Sequence, residues 1–209
     1  MFKDRDEAGM RLAKALKTMD TSNMVLMAIP RGGVVIGAAV AEVLGVSLSV
    51  VIPKKIGAPG NEELAIGALV DRKSIFVDKG LQRSLNISDE YIEREARKKL
   101  EEIARRRAMY GASGDLPDLA GKTIVLVDDG LATGSTAIAA ARSLRAAGAE
   151  KLILAVPVAP KESVAKIEQY VDEVVCLELP PVFYAVGQFY ENFEQVSDEQ
   201  VVELLRKYA

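Results

Sequence analysis

Between Thr123 and Thr136 the chain reads TIVLVDDGLATGST, and no other stretch constrains the fold as much. Ile124 to Val127 are four apolar residues without alternation, the signature of a strand buried on both faces, as in a parallel sheet. Asp128 and Asp129 end that strand. A turn of small residues follows, and a helix opens around Thr133, Gly134, Ser135 and Thr136. At a strand-to-helix turn of this kind, free backbone N–H groups and the helix dipole converge on an anion, and Gly134 allows it close. The hydroxyls flanking the glycine suit phosphate oxygens, and the two carboxylates suit the hydroxyls of an attached sugar. The residues therefore describe a sugar-phosphate site. The plainer alternative is a solvated strand end followed by a helix cap.

The rest of the chain alternates strands and helices. Residues 4–19 have an amphipathic stripe of Ala8, Leu12, Ala15, Leu16 and Met19. Met24–Ile29 is a buried strand, Pro30-Arg31-Gly32-Gly33 a turn, and Val34–Leu44 a helix closed by Gly45. Leu48–Ile52 is the next strand, with Lys54-Lys55 just past its end. Ile56 to Glu63 has loop composition. Leu64–Val70 and Ser74–Asp78 read as a hairpin at the sheet edge. Ser88 caps a long helix to Met109 with a buried stripe of Ile92, Ala96, Leu100, Ile103 and Ala104, and acids stand four residues before bases on its outer face. Residues 111–121 form a polar link. Beyond the central stretch come a helix over Thr136–Ala147, a strand over Lys151–Val158, a helix over 161–170, a strand over Glu173–Leu177 and a helix over 198–208. This order predicts an α/β fold, a mostly parallel sheet with helices on both faces, whose ligand lies at the carboxyl ends of the strands. One domain is expected over residues 1–209. Its core spans about 24–177, a small hood comes from 1–20 and 178–209, and a helical insertion covers about 80–115.

Composition narrows the chemistry. The 209 residues contain no histidine, which removes Ser-His-Asp and Cys-His nucleophiles and His-based zinc sites. Catalysis must rest on carboxylates, Lys, Arg, Tyr, hydroxyls and backbone dipoles. A net charge of −3 offers no basic footprint for nucleic acid. No apolar run is long enough to cross a membrane. The charged start Met-Phe-Lys-Asp-Arg-Asp-Glu lacks a signal-peptide core, and a single Cys176 cannot form an intrachain disulfide, so a cytoplasmic protein is expected.

Val127-Asp128-Asp129-Gly130-Leu131-Ala132-Thr133-Gly134-Ser135-Thr136 resembles the phosphoribosyl-pyrophosphate (PRPP) signature of the type I phosphoribosyltransferases. The resemblance implies the family's Rossmann-related fold and a PRPP site made of Arg31, Gly32, Gly33, Asp128, Asp129, Gly130, Leu131, Ala132, Thr133, Gly134, Ser135 and Thr136. Pro30-Arg31-Gly32-Gly33 is similar to the loop that holds pyrophosphate, although the glycine pair also reads as an ordinary helix-opening turn. Lys54 and Lys55 resemble basic residues that contact pyrophosphate; otherwise they are a solvated pair. Arg31, Lys54, Lys55, Asp128 and Asp129 are the candidate catalytic residues. The loop composition of 56–63 falls where the family closes a flexible loop over PRPP, and it carries Glu62 and Glu63 as speculative bases. The implied reaction transfers ribose 5-phosphate from PRPP to a nitrogenous base with release of pyrophosphate. Mg2+ is expected to be held mainly by PRPP and water, with no dedicated protein metal site.

The C-terminal stretch Pro180 to Phe193 gathers Phe183, Tyr184, Phe189, Tyr190 and Phe193. It is similar to the hood of purine-type members, which implies Tyr184 as stacking platform, Ala185 as a source of backbone groups and Glu191 as reader of the base edge. Otherwise it is a tail packed on the core. The family's 6-oxopurine enzymes carry an acid where this chain has Ala132, so the loop grips a donor without supplying a general base. That motivates an alternative: a non-catalytic regulator that senses PRPP or nucleotides on the same fold. Members of the family are commonly homodimers, and the helix at 88–109 is a candidate interface element whose outer face also suits water.

Overall fold

The computed structural model describes residues 1–111, 116 and 118–208, with Glu63 described only in its backbone. Five strands form one parallel sheet: β1 (Met24–Ala28), β2 (Leu48–Val50), β6 (Thr123–Val127), β7 (Lys151–Val158) and β8 (Glu173–Glu178). Their spatial order is β2-β1-β6-β7-β8. A second, antiparallel sheet is built from β3 (Lys54–Ala58), β4 (Asn61–Leu69) and β5 (Ile75–Val77).

The parallel strands are covered on both faces because alternate residues point to opposite sides. Leu26, Ala28, Val125, Val127, Ile153 and Ala155 join one buried cluster with the helices α1 (Arg5–Leu16), α2 (Gly32–Leu44) and α7 (Asp198–Tyr208). Met27, Ile124, Leu126, Leu152 and Leu154 join the other, with α5 (Ser135–Ala146) and α6 (Lys161–Ile167). Each fully buried branched side chain contributes about 1.5–3 kcal/mol. The small sheet sits against α5 and carries α4 (Asp89–Met109) on it, with the short α3 (Lys79–Ser84) leading in.

From β1 the chain crosses to β2 on one side, while β6 lies on the other side of β1. This is the topological switch point, where a crevice opens outside the carboxyl ends of two neighbouring strands. The backbone stays tied there, since Ile29 N–H donates to Val127 O at 3.0 Å.

Several expectations are corrected by the structure. Ala13, not Ala15, completes the buried stripe of α1, and Arg107 rather than Ala104 lies buried on α4. Lys54 and Lys55 do not hang from the end of β2; they begin β3 of the second sheet. The run expected as a closing loop at 56–63 is most of a β-hairpin, because Pro59-Gly60 supplies a two-residue turn with Gly60 at φ +74°. The hairpin expected over 64–78 forms, but within the second sheet rather than at the edge of the first. On α4, Ser88 caps the helix as expected by accepting from Tyr91 N–H. Its ion pairs include Lys98–Glu95 and Lys99–Glu102 at i,i+3, and Glu102 also takes Lys54. Of the polar link, residues 112–115 and 117 lie outside the described residues.

Candidate functional site

Two turns meet at the switch point. The first leaves β1 through Pro30 and Arg31 into α2, and the Pro30–Arg31 peptide bond is cis. The helix opens two residues earlier than its apolar run, at Gly32. The second turn leaves β6 through Asp128 and Asp129. The glycines of the first turn are what let the two turns touch. A Cβ on Gly32 would fall 1.8 Å from Asp129 Oδ2, and one on Gly33 would fall 2.9 Å from Val127 O and 3.0 Å from Asp128 Cα.

A cavity of about 510 Å3 opens here, walled by Arg31, Gly32, Asp128 and Asp129. Arg5 enters from α1, and Val186 and Phe193 from the C-terminal segment. Arg5 Nε donates to Asp129 Oδ2 at 2.8 Å, its Nη1 donates to Glu194 O at 2.8 Å, and its guanidinium lies 3.8 Å from the centroid of the Phe193 ring. Asp129 N–H donates to Asp128 Oδ1 at 2.9 Å. Burial, and after it the neighbouring Asp129 charge, push the Asp128 carboxyl well above the usual carboxylate range. Burial also raises Asp129, and the hydrogen bond and charge of Arg5 pull it back. Arg31 reaches across to Asp198 at 3.9 Å, and Asp198 Oδ1 also accepts from Tyr110 Oη at 2.8 Å.

After the acid pair, Gly130 passes under Val186, whose Cγ1 would lie 2.5 Å from an added Cβ. Leu131 turns into the core and its N–H donates to Val158 O. Ala132 O accepts from Ser163 Oγ. Gly134 takes φ +79°, a left-handed conformation that favours glycine, and α5 starts at Ser135. Thr133 Oγ1 lies 3.3 Å from Ser135 Oγ, and Thr133 and Thr136 are exposed. A helix N-terminus with hydroxyls beside it thus stands at the same sheet end as Arg31 and the acid pair.

Arg31, Gly32, Asp128 and Asp129 are therefore brought together, with residues 130–136 continuing from them. Lys54 and Lys55 are not among the residues lining this cavity. They border a separate pocket of about 230 Å3 with Glu62, Tyr91 and Glu95, and Lys54 Nζ donates to Glu102 Oε2 at 2.7 Å. The side chain of Glu63 lies outside the described residues. Tyr184 is 88% exposed and does not line the cavity either. The N–H groups of Tyr184 and Ala185 both donate to Gln188 Oε1, and Glu191, also exposed, donates its N–H to Phe2 O. Among the described residues no group of three or more acids and cysteines could hold a metal ion, and no helix is long and apolar enough to cross a membrane.

The Phosphoribosyl transferase domain family matches residues 5–194, nearly the whole chain. The chain belongs to the phosphoribosyl transferase family. Two Mycobacterium tuberculosis proteins, from strains CDC 1551 and H37Rv and each named "Putative phosphoribosyl transferase", are 40% identical to it over 205 residues. Those residues make up 98% of this chain and 46% of each relative, so the chain spans about half the length of the curated relatives it matches. The crystal structure of a Thermus thermophilus protein, TT1426, is 38% identical with a TM-score of 0.89, covering 100% of this chain and 99% of that one. The α/β fold, with its five-stranded parallel sheet and small antiparallel sheet, is thus a phosphoribosyl transferase fold.

Arg5, Val186 and Phe193 line this cavity as well, and no local sequence pattern marks them as candidates. Arg5 stands between Asp4 and Asp6 at the start of an amphipathic helix, where a charge reads as solvated. Phe193 belongs to the same aromatic stretch as Tyr184, the residue to which the family resemblance points.

Proposed function

We propose that the protein transfers ribose 5-phosphate from magnesium-bound PRPP to the nitrogen of a purine-like base, releasing pyrophosphate. The observation that carries this reading is the meeting of the Arg31-Gly32 turn with the Asp128–Asp129 pair at the switch point, directly ahead of the Thr133–Thr136 turn. Asp128 and Asp129 accept hydrogen bonds from the ribose hydroxyls. The turn from Ala132 to Thr136 and the first amides of α5 hold the 5′-phosphate. Arg31 offers a forked donor to the pyrophosphate. The ribose C1–O bond to pyrophosphate breaks with its electron pair leaving on oxygen, the C1–N bond forms, and the acceptor's proton passes to water or to the departing pyrophosphate. Donors already aimed at the leaving group lower the barrier, because charge builds there in the transition state.

Magnesium is part of the substrate in this scheme. The acid pair is committed to Asp129 N–H and to Arg5, which suits a cation carried by the polyphosphate and water rather than one held in a protein cage.

A second reading is a regulator that binds PRPP or nucleotides without turnover. The observation favouring it is Ala132, which places no proton acceptor in the loop. Pyrophosphate release, assayed with PRPP, magnesium and a panel of purines, pyrimidines and nicotinate, separates the two. Release that requires one of these acceptors supports the transferase. Tight PRPP binding with no turnover on any of them supports the sensor, absence of PRPP binding overturns the transferase, and absence of binding to both PRPP and nucleotides overturns both.

A further inference from the structure

Arg5 lies far from the donor loop in sequence, yet its guanidinium sits at the acid pair. Its side chain is 11% exposed and is fixed from three directions: by Asp129 Oδ2, by Glu194 O and by the ring of Phe193. A loosely placed arginine over a site would block it and swing away. One held on three sides is built in. Two adjacent carboxylates in a partly buried place repel each other, and without a cation beside them one takes up a proton and loses its value as an acceptor. Among the described residues, the charged and titratable groups at Asp129 are Arg5 from α1, Asp128 beside it and Tyr190 from the C-terminal segment, and Arg31 from the β1–α2 turn lines the same cavity. Of the two cations, Arg5 is the one in direct contact, whereas Arg31 pairs with Asp198.

We propose that Arg5 is a positioning residue for donor binding: it holds the Asp129 carboxylate as an oriented, charged acceptor for a sugar hydroxyl at the cavity wall. The inference rests on the functional reading above, in that it takes the sugar of PRPP to bind at the acid pair. It makes the N-terminal helix part of the site. Gly32 serves the same arrangement, since a Cβ there would lie 2.9 Å from Arg5 Nε as well as on top of Asp129.

Calorimetric titration of magnesium-PRPP, and separately of inorganic pyrophosphate, into wild type, R5K and R5Q tests this at about pH 8 and about pH 6. R5Q is expected to bind PRPP about 10- to 100-fold more weakly than wild type, the scale of a lost charged hydrogen bond. The loss should be larger at the lower pH, because removing the adjacent cation favours the protonated form of Asp129. R5K, which keeps the charge but not the fork, should fall between the two and shift less with pH. Pyrophosphate, which has no sugar, should bind all three alike. Undiminished PRPP binding by R5Q at both pH values overturns the inference, and tighter binding overturns it in favour of a blocking arginine. Should R5Q not fold, R5K carries the test alone, and unchanged or tighter PRPP binding by R5K overturns the inference. If wild type does not bind PRPP, the functional reading falls and takes this inference with it. If wild type binds and the variants do not differ, only the inference falls.

Discussion

Tyr190 Oη donates a 2.6 Å hydrogen bond to the backbone carbonyl of Asp129, so the C-terminal segment is pinned to the acidic turn. The same tyrosine packs on Phe2 and Phe193, with ring centroids 5.3 and 4.9 Å away. Phe2 N–H donates to Phe189 O, and Glu191 N–H donates back to Phe2 O. Phe2 and the segment 189–191 are therefore tied together beside the acidic turn.

Tyr190→Phe removes the donor and leaves the Asp129 carbonyl without its phenol partner. The expected cost is about 1–3 kcal/mol of stability, read from the urea midpoint, with weaker PRPP binding alongside. Burial and the nearby Asp129 charge push the Tyr190 phenol far above its ordinary range, so alkaline pH should not mimic the mutation. A midpoint equal to that of wild type would remove this bond from the account.

Gly32→Ala places a methyl group where Asp129 Oδ2 and Arg5 Nε now lie, at 1.8 and 2.9 Å. The Arg5–Asp129 pair must separate or the helix start must shift. PRPP affinity is expected to fall more than about tenfold, the scale of one lost charged contact, while far-ultraviolet circular dichroism stays native. Wild-type affinity in this variant would show that the two turns need not touch for donor binding.

The acid pair also predicts a pH effect on stability. The folded-state pKa of Asp128 lies above its unfolded value, so the folded protein binds more protons between the two. The contribution of Asp128 is therefore fully present below the unfolded pKa of about 3.8 and is lost as pH rises through the folded pKa. Asp128→Asn should be more stable than wild type at neutral pH, with the difference shrinking as the pH approaches about 4. Thermal melts across this range check it, and a variant less stable than wild type at pH 7 would contradict the sign. Donor binding should weaken in the same variant.

Two aromatic residues of the C-terminal stretch, the platform candidate Tyr184 and the Arg5 partner Phe193, differ in their surroundings. Tyr184→Ala removes a side chain that is 88% exposed, so stability should stay within about 0.5 kcal/mol of wild type. Phe193→Ala removes the ring beneath Arg5, and should cost about 0.5–2 kcal/mol from the lost cation–π contact, with weaker PRPP binding. If Tyr184 stacks the acceptor, its variant raises the acceptor KM without changing PRPP affinity. An unchanged KM would take Tyr184 out of the acceptor site.

The parallel sheet was legible because its evidence is local. Ile124 to Val127 and Leu152 to Val156 are continuous apolar runs, and each is followed by turn residues and a helix. Asp128–Asp129 and the Thr133–Thr136 turn were legible for the same reason, since both lie within one strand–turn–helix unit. The hairpin over 56–63 was misread because glycine, proline and glutamates have the composition of a loop whether or not their backbone pairs. Gly57 in fact runs so close to its partner strand that an added Cβ would lie 2.6 Å from Glu62 Cα.

Sequence alone determined the family, the parallel sheet and the strand–turn–helix unit that carries Asp128 to Thr136, because strand burial, turn chemistry and helix starts are set by residues a few positions apart. The tertiary structure decided what surrounds that loop. Arg5 and Asp129 are 124 residues apart, and Lys54 is turned to Glu102 of α4 rather than to Arg31. Contacts of that range depend on which faces of α1, α4 and the small sheet pack together. No local pattern of charges encodes that packing, because a charged residue beside an apolar stripe looks the same facing water as facing another element.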